Sequence, residues 1–175
     1  PTPQPTAPAD RPDRSNIRVY LAVNASDSDS DLSALFPGGV RALFLFTPDS
    51  LVSRADQIRA AVAAGHSIGL IVDGDADQAR AQLRRGNALL GHIARVSTHI
   101  VAADGELADQ LSQEGWQIWR GHFPGSSASA AQSYLATRRD VTRLELPASP
   151  AALSRVLTTL RQEGYTLRQP VETDL

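Results

Sequence analysis

Three joints in the sequence share one pattern, in which a Gly separates a helical segment from a β-prone segment. They are centred on Gly65, Gly115 and Gly164. A Gly in this position supplies the left-handed residue that commonly ends a helix. In the best defined joint, residues 63–75, a helix end, a Gly-His turn, an apolar strand and an acidic loop follow one another. A chain that repeats this unit is predicted to fold as an α/β protein.

Strand and helix patterns alternate about seven times along the chain. Apolar, β-prone runs predict strands at residues 17–23, 40–46, 67–72, 98–102, 116–120, 142–146 and 165–168. Helical spacing and capping residues predict helices at residues 32–36, 51–65, 75–93, 106–114, 128–137 and 149–163. This order predicts a parallel sheet, either open and doubly wound or closed into a barrel. In both cases the functional residues are expected at the carboxyl ends of the strands.

Composition excludes several kinds of site and partner. The 175 residues are enough for one domain with its own core, and the net charge of −2 gives no reason to expect a nucleic-acid partner. The absence of Cys excludes disulfides, thiolate metal sites and Cys nucleophiles. Neither Gly-rich nucleotide-binding motif occurs. No apolar run approaches the roughly 18 residues that a membrane-spanning helix needs, so no transmembrane segment is predicted.

The amino-terminal residues differ in composition from the rest of the chain. Residues 1–14 contain five prolines. We therefore predict a Pro-rich flexible linker at residues 1–15 and a single domain at residues 16–175. Because such tethers often join a domain of an exported protein to an anchor or to another domain, the predicted location is extracellular or in the cell envelope.

Four segments carry a resemblance to a known family. Residues 40–47 are similar to a strand motif of the form v-k-A-T-F-F-v, and residues 57–69 to a helix that ends in G-H-E-I-G-N-H. Residues 111–119 are similar to l-k-e-l-G-Y-k-v-v-l-W, and residues 153–167 to L-k-x-x-G-Y-x-f. In this order the segments resemble the polysaccharide deacetylases of the NodB-homology type.

The resemblance covers residues 17–168 and implies both a fold and a chemistry. The fold is α/β, a distorted (β/α) barrel with about seven parallel strands. The chemistry is the metal-dependent removal of N- or O-acetyl groups from chitin, peptidoglycan or related glycans.

The first two catalytic motifs of that family are not retained. Its T-F-D-D motif places Asn24 where the family has a general base and Ala25 where it has a metal ligand. An amide cannot take up a proton at neutral pH, and a methyl group cannot bind a metal. Its H-x-x-x-H motif places Ile71 and Asp75 where the family has two imidazole ligands. The divalent metal that family members use, such as zinc, therefore lacks its ligands, and no cofactor is predicted.

Two further family motifs are also absent. The R-x-P-Y-G motif would fall near residues 101–105, which contain neither Arg nor Tyr. The motif that carries a catalytic His would fall near residues 144–147, where no His occurs. The residue types that metal-assisted hydrolysis needs are thus missing from every expected position.

Polar and aromatic residues remain near the predicted strand ends. The candidates for a vestigial cleft are Asn24, Asp73, Asp75, Asp104, Trp119 and His122. Asp73 and Asp75 either hold a cation or cap the next helix, and capping is the favoured interpretation. His122, with Phe123 beside it and Trp119 as a stacking surface, either lines a glycan groove or is a loop residue near a core Trp. His66, in the Gly-His turn, is predicted to be structural.

Two functions follow from these observations. The first is a catalytically inactive deacetylase-like domain that serves as a carbohydrate-binding or structural module, with a glycan or protein partner. The alternative is an active metal-dependent carbohydrate de-N/O-acetylase with a rearranged site made of Asp73, Asp75 and His122. That alternative requires the three side chains to converge within about 5 Å of one point. A pure interaction domain would instead carry an apolar surface patch.

Overall fold

The computed structural model describes residues 13–170. Most of the predicted linker lies outside the described residues, so the linker stays a prediction. The strands are β1 Arg18–Asn24, β2 Leu43–Phe46, β3 Ser67–Ile71, β4 Ile100–Ala102, β5 Gln117–Ile118, β6 Thr142–Leu146 and β7 Thr166–Arg168. The helices are α1 Ala55–Ala63, α2 Ala76–Ala94, α3 Gly105–Gln113, α4 Ala128–Ala136 and α5 Pro150–Gln162, with short 3₁₀ turns at Leu32–Leu35 and Pro48–Ser50.

All strand pairs within the described residues are parallel, and the sheet has the order β5-β4-β3-β2-β1-β6. The seventh strand pairs with β1 outside this order. β6 runs along residues 19–23 of β1, whereas β7 pairs with residues 18–20 and β2 with residues 22–24. Because a strand has two edges, β7 and β2 share one edge of β1, so β1 pairs with three strands.

A backbone bridge at His122 joins the two ends of the sheet. His122 follows β5, and it pairs with Leu144 in β6. The His122 N–H donates to the Arg143 carbonyl at 3.1 Å, and the His122 carbonyl accepts from the Glu145 N–H at 2.8 Å. The bridge curls the sheet, and the predicted distorted (β/α) barrel with about seven parallel strands is confirmed.

The two faces of the sheet bury two different cores. Val19, Leu21 and Val23 of β1 pack with the helices in the main core. Tyr20 and Ala22 point the other way and join a smaller cluster inside the barrel that contains Leu43, Leu45, Ile100 and Trp119. A parallel strand that is buried on both faces reads as a continuous apolar run, which explains why β1 to β3 were recognisable in the sequence.

The Gly joints have the predicted geometry. The φ angles of Gly65, Gly115 and Gly164 are 84°, 94° and 81°, in the left-handed region that favours glycine. Beside the first joint, the His66 Nδ1 accepts a hydrogen bond from the Ala42 N–H at 3.0 Å. The prediction that His66 is structural is confirmed.

The helix predicted from Leu51 begins later than expected. Residues 48–50 form a 3₁₀ turn in which the Ser50 hydroxyl donates to the Thr47 carbonyl at 2.8 Å. The α-helix starts only at Ala55, and Arg54 at its N-cap makes no side-chain cap. The helix therefore starts later than its apolar spacing predicts, because residues 48–50 form a separate turn that Ser50 stabilises.

Candidate functional site

An open cavity of about 550 Å³ lies at the carboxyl ends of the first six strands. Each of these strands, or the residue just after it, contributes to the lining: Asn24, Leu45, Ile71, Ala102, Trp119 and Glu145. Parallel strands bring their carboxyl ends to one edge of a barrel, so residues far apart in sequence meet there. This cavity is the candidate site.

The cavity brings together four of the six predicted cleft residues. Asn24, Asp73 and Asp104 lie on its lining together with Trp119. Asp75 and His122 are not among the lining residues.

Asp75 caps α2. Its carboxylate accepts from the Gln78 N–H at 2.8 Å, and the Gln78 side chain accepts from the Asp75 N–H at 3.0 Å, which completes a capping box. Asp73 does not cap the helix, since its carboxylate and its carbonyl each accept from the Gln82 side-chain amide at 3.2 Å. The capping interpretation therefore describes Asp75 alone.

Asp104 occupies the N-cap position of α3 but makes no capping hydrogen bond with its side chain. The side chain is exposed and belongs to the lining of the cavity. Its charge is therefore available to the cavity.

His122 is held beside the cavity by its ring and its backbone. The ring stacks on Tyr134 with 4.3 Å between centroids and 24° between planes. The Arg138 guanidinium lies over Tyr134, 4.3 Å from the ring centroid. The neighbouring Phe123 is 48% exposed. His122 thus closes the barrel through its backbone and contacts α4 through its ring.

Trp119 lies at the base of the cavity and is only 3% exposed. A Cβ atom at Gly121 would lie 2.4 Å from the indole, which shows how closely the backbone approaches the ring. A ring this deeply buried has no open face for a sugar. The predicted stacking role of Trp119 was therefore wrong, and the core-Trp interpretation describes it.

Sequence reasoning missed Glu145, the partner of that indole. The Trp119 Nε1–H donates to Glu145 Oε1 at 3.0 Å. On β6, Leu144 and Leu146 belong to the main core, so Glu145 points to the interior of the barrel. The alternation of apolar and polar residues at 142–146 is the sequence signal that places Glu145 on the interior face.

The environment of Glu145 disfavours its charged form. Burial is the largest cause and raises the pKa of the Glu145 carboxyl, and the negative charge of Asp104 raises it further. The hydrogen bond from Trp119 and the proximity of His122 lower this pKa without cancelling the rise. A half-buried carboxyl with a perturbed pKa in a cavity marks a candidate functional group.

The geometry does not assemble a metal site from the predicted residues. Among residues 13–170, no group of three or more His, Asp or Glu side chains is arranged to hold a metal ion. Asp75 is engaged with Gln78, and the His122 ring is stacked on Tyr134. Asp73, Asp75 and His122 therefore do not converge as the rearranged site would require.

Comparison with known proteins identifies the fold. No family model matches the sequence, and no curated protein sequence matches it. Among solved structures, the family 4 carbohydrate esterase (CE4) pseudoenzyme BA3943 from Bacillus anthracis superposes with a TM-score of 0.71 at 12% identity, covering 91% of this chain. The Xyl-CE4 domain of a multidomain xylanase from the hindgut metagenome of Trinervitermes trinervoides gives 0.70 at 14% identity, covering 89% of this chain and 88% of that domain.

An acetyl xylan esterase of the same family from Clostridium thermocellum, solved with a cobalt ion, gives a TM-score of 0.66 at 21% identity, with 87% of each chain covered. The chain therefore has the fold of the family 4 carbohydrate esterases, and the resemblance to polysaccharide deacetylases is confirmed at the level of the fold. The chain spans only 64% of the length of the BA3943 structure. No helix in the described part of the chain is both long enough and apolar enough to cross a membrane.

Proposed function

We propose that this chain is a deacetylase-like domain that does not deacetylate, and that it acts as a carbohydrate-binding module of an exported or cell-envelope protein. The observation that carries the proposal is the cavity itself. It occupies the carboxyl ends of the strands, yet Asn24 and Ile71 line it where the resemblance implies a general base and an imidazole ligand. The cavity thus has room for a ligand but lacks the side chains that metal-assisted hydrolysis needs.

The structural neighbours support a glycan as the class of ligand. They include an acetyl xylan esterase and a peptidoglycan N-acetylglucosamine deacetylase, whose names refer to acetylated polysaccharides. They also include a family 4 pseudoenzyme, which supports the loss of catalysis on this fold. The peptidoglycan substrate of one neighbour is the basis for proposing the cell envelope.

Metal content and acetate release test the proposal together. The purified chain, incubated with zinc or cobalt and then desalted, should retain no stoichiometric metal by mass spectrometry. It should release no acetate from acetylated chitooligosaccharides, acetylated xylan or peptidoglycan fragments. The Clostridium thermocellum acetyl xylan esterase, treated in parallel on acetylated xylan, is the positive control. Bound metal together with acetate release from any of these substrates would overturn the proposal and favour the rearranged active site.

A further inference from the structure

We infer that the cavity recognises the ammonium group of a free hexosamine unit, with Glu145 as the specificity-determining residue, and that it does not prefer the N-acetylated form. The inference rests on the proposed function, because it names the glycan class that the cavity takes. A deacetylated amino sugar differs from its acetylated parent chiefly in carrying a positive charge. The charge and shape of the lining can therefore distinguish the two.

Glu145 is held rigidly at the wall of the cavity. Its position on β6 directs the side chain into the barrel, and the Trp119 indole fixes Oε1 at 3.0 Å. Ile71, which is only partly buried, supplies apolar surface beside it, and Leu45 is packed beneath. A concave site with an apolar base and a fixed polar group is typical of ligand pockets.

The lining carries more negative than positive charge. Asp73, Asp104 and Glu145 come from the ends of three different strands, whereas Arg120 is the one basic residue among the lining residues described. The Arg120 guanidinium donates to Asp109 Oδ1 at 2.7 Å, and Asp109 is not part of the lining. A cation in the cavity would therefore face carboxylates whose charge is only partly balanced.

A cation would also relieve the electrostatic cost at Glu145. Burial and Asp104 raise the pKa of this carboxyl, which means that its charged form lacks compensation in the free protein. An ammonium group placed between Glu145 and Asp104 supplies that compensation through charge-assisted hydrogen bonds.

An acetamido group has no comparable fit. It is neutral, so it does not offset the carboxylates, and its carbonyl oxygen needs a hydrogen-bond donor. The indole N–H of Trp119 is already committed to Glu145. The Asn24 side-chain carbonyl accepts from the Ser26 N–H at 3.1 Å, but its amide nitrogen is a donor, so the preference rests on charge and not on a lack of donors. The carboxylates that line the cavity thus favour the amine.

Calorimetric titration with two matched probes tests the inference. The full chain is titrated with the glucosamine tetramer and with the N-acetylglucosamine tetramer, in the same buffer near neutral pH. We expect the amine form to bind at least about ten times more tightly, and its affinity to fall as salt rises, because the contact is between charges. Equal affinities, a preference for the acetylated probe, or binding of neither probe would each overturn the inference.

Two substitutions locate the contact. Glu145→Gln keeps the acceptor for the Trp119 indole and removes the charge, so it should weaken binding of the amine probe about tenfold and leave the acetylated probe unaffected. Asp140→Asn, an equal change of charge at an exposed site before the start of β6, is the matched control and should change neither affinity. An unchanged affinity in Glu145→Gln would contradict the assignment.

A second variant guards against a folding defect. If Glu145→Gln does not give a native circular dichroism spectrum, Asp104→Asn, at an exposed position, carries the same expectation for the amine probe. The preference between the two probes is measured independently of metal content and acetate release. Acetate release would overturn the proposed function, whereas loss of the preference for amines would overturn only this inference.

Discussion

The surroundings of Glu145 change the acidity of its carboxyl group. The same carboxyl on an exposed strand would be an ordinary solvated acid. Here it lies half-buried on the interior face of β6, beside the Trp119 indole and within the field of Asp104. This unfavourable burial occurs at the carboxyl ends of the strands, which is the end of a parallel barrel where ligands usually bind.

The pH dependence of the free energy of unfolding should reflect the raised pKa of Glu145. A carboxyl whose pKa is higher in the folded than in the unfolded state binds its proton more tightly when folded. Stability is therefore lost as pH rises from the unfolded value, near 4.5, through the folded value. Glu145→Gln removes this loss, so its free energy of unfolding relative to the native sequence should improve as pH rises above the unfolded value near 4.5. Urea denaturation at a series of pH values measures the difference, and a difference that is constant with pH would contradict the expectation.

His66 is a buried polar residue with a different role. Burial, and then the positive charge of Arg41, lower the pKa of its ring, so the neutral form is favoured. In that form Nδ1 accepts from the Ala42 N–H, and the ring contacts Phe36 and Phe44 at 4.9 and 4.8 Å between centroids. His66 therefore ties the start of β3 to the residue that precedes β2, at the end of the barrel opposite the cavity.

At the scale of elements, α2 shows how neighbouring residues of one type take different roles. Asp73 and Asp75 both follow β3, and both are exposed. The reciprocal bonds with Gln78 make Asp75 the cap, because Gln78 is the third residue of the helix. Asp73, two residues earlier, bonds to Gln82 and belongs to the cavity.

This difference predicts unequal effects of two alanine substitutions. Asp75→Ala should lower the free energy of unfolding by about 1 kcal/mol, the usual cost of losing an N-cap side chain. Asp73→Ala is the matched control and should change it by less than about 0.5 kcal/mol, as is usual for a surface position. Urea denaturation of the two variants beside the native chain gives both values. Equal losses would show that Asp73 shares in stabilising the start of the helix.

At the scale of the whole molecule, β1 holds the barrel together. It contacts β2, β6 and β7, and its residues enter both cores. The bridge at His122 then joins β6 to the segment after β5. Because these contacts link residues from both ends of the described chain, the fold should unfold as one cooperative unit.

Truncation of a core residue in β1 tests this organisation. Leu21 is fully buried in the main core, so Leu21→Ala should lower the free energy of unfolding by about 2–5 kcal/mol. Val52, which is 66% exposed, is the control, and Val52→Ala should have an effect within about 0.5 kcal/mol. Circular dichroism and tryptophan fluorescence should follow the same denaturation curve in each variant. Separate transitions for the two probes would show that the barrel is not a single cooperative unit.

The order of the elements could be read from the sequence because its signals are local. Glycine at 65, 115 and 164 ends helices through backbone conformation alone. β6 was predicted with its observed bounds, and the helices α2 and α5 to within one residue at each end. β5 was predicted too long, since the Trp119 N–H makes the last bond to β4, at the Val101 carbonyl, and the chain then crosses to β6 at His122. That turn depends on distant partners, which a local pattern does not contain.

The sequence by itself determined the kind of fold and the residue types at the strand ends, since both depend on short-range periodicity, turn chemistry and motif order. Only the tertiary structure decided which of those residues share a cavity. Trp119 and Glu145 are 26 positions apart, and their hydrogen bond exists because the sheet curls until the segment after β5 meets β6. The curl arises from long-range backbone pairing, which local sequence patterns do not contain. The Glu145 carboxyl could therefore be identified as a cavity residue only from the tertiary structure.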